Sequence, residues 1–79
     1  MDIGKIDVTK KYTFIEAWRK GISDSNVIIT SDSSGNNYKI DSSSKKLKFY
    51  NPVIAAWQVC TYILPEEIFN MWYITADLS

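Results

Sequence analysis

Thr13-Phe14-Ile15-Glu16-Ala17-Trp18-Arg19-Lys20-Gly21 carries a full set of helix signals in nine residues. Thr13 suits an N-cap, and Glu16 stands three residues on, so the pair reads as a capping box. In that motif each side chain satisfies a backbone N–H that the first turn leaves unpaired. Phe14, Ala17, Trp18 and Ile22 recur at helical spacing and should share one face. Arg19 and Lys20 fall in the last turn, where cations meet the negative end of the helix dipole. Gly21 follows as the expected stop, because glycine enters the left-handed region without a Cβ clash. A helix of about two turns does not hold alone in water, so it must lie on something else.

The flanking sequence supplies a sheet. Asn26 to Ser31 is β-branched and reads as a strand. Asp32-Ser-Ser-Gly-Asn-Asn37 is dense in turn formers, with Gly35 and Asn36 suited to positive φ. Tyr38 to Ile40 alternates and should pair with Val27–Thr30 as a hairpin. Asp41 to Lys46 is a polar turn. Leu47 to Tyr50 is a further strand with Leu47 and Phe49 on one face, and Asn51-Pro52 marks its end.

Val53 to Leu64 is apolar on both alternating faces. Periodicity alone does not separate a doubly buried strand from a buried helix. The β-branched and aromatic content favours a strand. So small a chain covers both faces of such a strand only with outside help, and a subunit interface is the expected cover.

Pro65-Glu-Glu opens a short helix, since proline and acids suit the first turn. Ile68, Phe69 and Met71 give it an apolar side. Trp72 to Thr75 closes the sheet, and Ala76 to Ser79 reads as a frayed end. At the other terminus Ile3, Ile6 and Val8 stand among charges. Ile6 and Val8 fit a short edge strand, and an unstructured lead-in fits equally well. The expectation is one α+β domain over 1–79, with an antiparallel sheet of four to five strands. One principal N-terminal helix lies on a face, and a short helix precedes the last strand.

Size and composition set the class. A domain of 79 residues buries roughly 60% of its unfolded surface, and such a core rarely supplies more than about 3–5 kcal/mol. Cys60 is the only cysteine and there is no histidine, so neither an intrachain disulfide nor a zinc site is available as a staple. Self-association remains. Nine basic and nine acidic residues cancel, which argues against a nucleic-acid binder. The cluster Lys45, Lys46 and Lys48 reads as a solvated turn. No apolar run approaches the ~20 residues of a membrane span, and the opening residues lack a signal-peptide pattern. A cytosolic location is expected.

No catalytic constellation stands out. Glu66 and Glu67 are adjacent, so on a helix they point apart, and they read as a helix start. Cys60 lacks a histidine base. Asp32-Ser-Ser-Gly-Asn-Asn resembles part of a calcium loop without its later bidentate acid. Gly35 alone makes no phosphate loop. No enzyme activity, metal or cofactor is expected. Three tryptophans and five tyrosines are many for this length. Trp18, Phe49 and Phe69 are assigned to the core. Tyr50, Trp57, Trp72 and Tyr73 lie on strands whose faces do not all fit one core, and they are the candidate ligand- or partner-binding residues.

Tyr12-Thr-Phe-Ile-Glu-Ala-Trp-Arg-Lys-Gly21 resembles the opening of many small phage-encoded domains, and Leu64-Pro-Glu-Glu-Ile-Phe-Asn-Met-Trp-Tyr-Ile74 resembles their closing motif. The family is the group related to the second Thoeris anti-defence protein, a phage sponge for cyclic-ADP-ribose-type signals. The resemblance covers about a quarter of the chain. It implies a phage or prophage protein acting in the host cytoplasm as a homo-oligomer that holds a nucleotide-derived signal. Where the family has a basic residue and a tryptophan after the first Lys-Gly, this chain has Ser23 to Ile28. Met71 stands where the family has aspartate. The resemblance therefore assigns no binding residue here. Two alternatives are a protein-binding module that inhibits a host protein, and a structural accessory protein.

Overall fold

The computed structural model describes residues 6–24, 26–41 and 43–77; Ile3 and the last two residues of the expected frayed end lie outside them. The capping box forms as the sequence indicates. The Glu16 backbone N–H donates to Thr13 Oγ1 at 3.2 Å, and the Thr13 N–H donates to Glu16 Oε1 at 3.0 Å. Helix α1 (Phe14–Ser23) does not stop at Gly21 but continues for two residues to an Asp24 cap.

Gly21 is used for close approach instead. It is buried, and a Cβ built there would sit 3.7 Å from Ile40 Cγ1. The stripe facing the sheet is thus Phe14, Ala17, Trp18 and Gly21. Ile22, expected on that stripe, is 63% exposed. Each residue turns the helix by about 100°, which carries position 22 past the edge of the contact.

Five strands follow: β1 (Val27–Ser31), β2 (Asn37–Ile40), β3 (Leu47–Asn51), β4 (Ala56–Val59) and β5 (Trp72–Ala76), with α2 (Pro65–Ile68) before the last. Their order is β4-β3-β2-β1-β5, and every pairing is antiparallel. The β1–β2 hairpin closes through Gly35 at φ +75°, whose N–H reaches the Ser31 carbonyl at 2.8 Å. A side chain would be strained in that left-handed conformation. β1 lies between β2 and β5 and is buried along its whole length.

Register divides the sheet into two faces, because directly opposed residues point the same way. Ile29 opposes Tyr38 and Ile74, and Tyr38 opposes Phe49. These residues join Ala17, Trp72, Phe14, Trp18 and Leu47 in the core beneath α1. Trp72 is fully buried, with its ring 5.4 Å from Phe14 and 5.6 Å from Tyr38. The chain then returns from the β4 edge to β5 over this same face, and Cys60 and Ile63 from that crossing arm pack on the core. The opposite face carries Ile28, Thr30, Thr75, Tyr73, Lys39, Lys48, Tyr50 and Trp57.

Two expectations are corrected. Val53 to Leu64 is not one strand buried on both sides. Residues 52–55 turn, β4 is four residues long, and 60–64 is irregular. Asn51 Oδ1 captures the Val53 N–H at 3.0 Å, and Ala55 adopts φ +51°, so the β-branched run is broken before it pairs. Val53 is 90% and Tyr62 71% exposed. Second, Phe69 is not core but 87% exposed, because α2 turns Glu67 inward in its place. Of the two readings open for Ile6 to Val8, the edge strand does not form, since Val8 lies in a turn. The contact with β5 is made by Tyr12, through a bridge to Trp72. No helix among the described residues is long and apolar enough to cross a membrane.

Candidate functional site

Of the four aromatic candidates, the fold brings two together. Tyr50 on β3 is directly opposite Trp57 on β4, and their rings meet edge to face at 5.4 Å. Lys39 on β2 places its Nζ 4.5 Å from the centre of the Trp57 ring and 3.4 Å from Asp77 Oδ2. Lys48 opposes both Lys39 and Val59. The result is a half-buried patch of two rings and two ammonium groups on the sheet face away from α1. Two like charges directly opposed repel, and Asp77 offsets one of them.

The other two candidates are elsewhere. Trp72 belongs to the closed core and donates its indole N–H to the Glu67 carbonyl at 2.9 Å. Tyr73 shares the outer face but lies on β5, at the far edge of the sheet from β4. With neighbouring strands about 4.8 Å apart, Tyr73 and Trp57 do not converge. The Tyr73 hydroxyl donates to Asp32 Oδ1 at 2.7 Å, and Lys11 reaches Asp32 Oδ2 at 3.2 Å. The Tyr73 hydrogen bond, then that of Lys11, holds the Asp32 carboxyl below its ordinary value. This bracket ties the start of the chain to the β1–β2 turn.

A second site was not expected from sequence. Glu67 is 1% exposed. Tyr38 Oη donates to Glu67 Oε2 at 2.8 Å and to Oε1 at 3.1 Å, and Ser34 Oγ donates to Oε2 at 2.9 Å. Burial, followed by the neighbouring carboxylate, pushes the Tyr38 phenol well above its ordinary value, so it stays a donor. Glu67 is also one of the residues around an open depression of about 240 Å³ that Tyr38, Phe49, Cys60, Tyr62 and Leu64 line. Pro65 at the start of α2 and the adjacency of Glu66 mark a helix start equally well for either acid. Only the docking of the arm decides which one turns in. Glu67 was therefore invisible as a site residue.

The Cys60 thiol donates to the Tyr62 carbonyl at 3.0 Å. Among the described residues no group of three or more His, Cys, Asp or Glu side chains is placed to hold a metal ion. What the two sites offer is recognition: ring faces with cations at one, ring faces with a buried anion at the other. No protein-family model matches the chain, and neither a curated protein nor a solved structure matches it.

Proposed function

We propose that this is a non-enzymatic binding protein that self-associates and sequesters a nucleotide-derived small molecule, as the resemblance to the Thoeris anti-defence sponges implies for a phage or prophage protein. The observation that carries the reading is the Tyr50–Trp57 pair with Lys39 and Lys48 beside it. A nucleotide presents a planar base and an anionic phosphate, and stacking faces next to ammonium groups complement both. The proposed binding residues are Tyr50 and Trp57, with the two lysines added.

Self-association is supported by the edge next to this patch. Among the described residues β4 has a neighbouring strand on one side only. Its outer edge offers backbone N–H and C=O groups to another chain. Val53, Ile54, Val59 and Tyr62 are exposed around it. A second copy that pairs there shelters the apolar surface that this segment leaves open. The same exposed residues favour one further reading, a module that docks on a host protein through this edge.

Calorimetry of the full chain against cyclic nucleotides and cyclic-ADP-ribose isomers, with light scattering at high micromolar concentration, tests the proposal. Heat from at least one compound, its loss in Trp57→Ala, and the mass of a dimer or larger assembly are expected. A monomer that gives no heat with any of them overturns it.

A further inference from the structure

We infer that the depression beside Glu67 is a separate binding site for a small planar organic cation with N–H donors, of the amidinium or guanidinium class. The inference goes beyond the proposed nucleotide site: it concerns the opposite face of the sheet and ligands of opposite charge.

Three features converge on it. The first is an anion without a cation. An isolated buried carboxylate is costly unless it is paired. The ion pairs among the described residues are Lys11–Asp32, Lys20–Asp24 and Lys39–Asp77, and none involves Glu67. Only two neutral hydroxyls serve it. A carboxylate has about four acceptor positions, and Oε1 receives only the longer arm of the Tyr38 hydrogen bond. Acceptor capacity and negative charge both remain, in a setting where solvent screens them little.

The second feature is the wall. Tyr38, Phe49 and Tyr62 line the same hollow. Aromatic faces attract cations, and planar guanidinium-type groups also stack on them. An anionic ligand gains nothing from such a lining and is repelled by Glu67. At about 240 Å³ the hollow falls below the ~300–1,000 Å³ of sites for drug-sized molecules, so it suits a single ring or a short side-chain-like group.

The third is adaptability. Among the described residues, Thr61, Tyr62 and Ile63 donate no backbone hydrogen bond, although Cys60 before them and Glu67 after them do. The stretch of arm over the hollow is thus not pinned by a ladder, and Tyr62 stands exposed beside the hollow.

The test uses benzamidinium and its neutral near-isostere benzamide, titrated into the full chain by NMR and calorimetry. Benzamidinium should bind at least about tenfold more tightly than benzamide, about the share of affinity that one charge-assisted hydrogen bond supplies. Glu67→Gln keeps the shape and one acceptor. It should weaken benzamidinium by about tenfold and leave benzamide unchanged. Tyr62→Ala alters an exposed side chain, does not touch the core, and should weaken both compounds. Trp57→Ala should alter neither, which separates this site from the nucleotide patch. Equal binding of the two compounds, no binding of either, or benzamidinium binding that survives Tyr62→Ala overturns the inference, whether or not Glu67→Gln folds.

Discussion

Tyr38→Phe removes one oxygen and is predicted to be among the most damaging conservative changes in the chain. The Tyr38 hydroxyl is the principal donor to Glu67, and both residues are buried. Without it the carboxylate, in a residue only 1% exposed, keeps Ser34 as its one donor. A hydrogen bond to a charged group contributes about 1.5–3 kcal/mol, and a buried group left unpaired adds to that loss. We therefore expect a destabilisation of about 2–3 kcal/mol. In a domain this size each kcal/mol shifts the melting temperature by about 4–8 °C, so the midpoint should fall by about 8–24 °C. Thermal and urea unfolding followed by tryptophan fluorescence reads this directly, because Trp72 lies against Tyr38. Tyr73→Phe is the matched control. It removes the same atom from a 2.7 Å hydrogen bond to a carboxylate, but at an exposed site, where the expected change is within about 0.5 kcal/mol. Equal losses in the two variants would refute the claim that Glu67 is held by Tyr38 in a desolvated setting.

Gly21→Ala should stabilise the protein by about 0.5–1 kcal/mol: the residue is inside α1, and the added methyl would meet Ile40 at an ordinary 3.7 Å. A rise in the urea midpoint checks it. Thr13→Ala opens the capping box and should cost about 1 kcal/mol, read from the same unfolding curves. The Tyr38 phenol is raised above its ordinary 10.0 by burial, so the folded chain holds that proton where the unfolded chain releases it. The stabilisation is fully present below about pH 10 and is lost as pH rises toward the folded value. The urea midpoint should drop on that alkaline limb in the parent chain and drop less steeply in Tyr38→Phe.

Local signals were the legible ones. The capping box, the hairpin around Gly35 and the β-branched β1 each depend on residues close in sequence, and each forms where it was read. Gly21 was readable as special, but a helix stop and a close approach to a sheet ask for the same residue, and only Ile40 across the gap distinguishes them. The break inside Val53–Leu64 was hidden because strand propensity pointed one way, while Ala55 in the left-handed region has no composition signal. Tyr50, Trp57, Trp72 and Tyr73 all lie on strands, as their β-propensity indicates. Dividing them between core, patch and edge required the register. Glu67 and Phe69 exchanged their expected places because a helix of one turn has too few residues to define a face.

The arm that links β4 to β5 has a kinetic consequence. Glu67 is fastened to Ser34 and Tyr38, which lie 33 and 29 positions earlier, whereas β1 to β4 are joined by neighbouring hairpins. Loop closure favours the near contacts first. The meander can therefore zip up while the final twenty residues still trail, and the glutamate surrenders its water only when they arrive. Its docking is the latch that lets the closing strand pair with β1 at the edge of the sheet, so amide exchange along β5 should follow the opening of that latch.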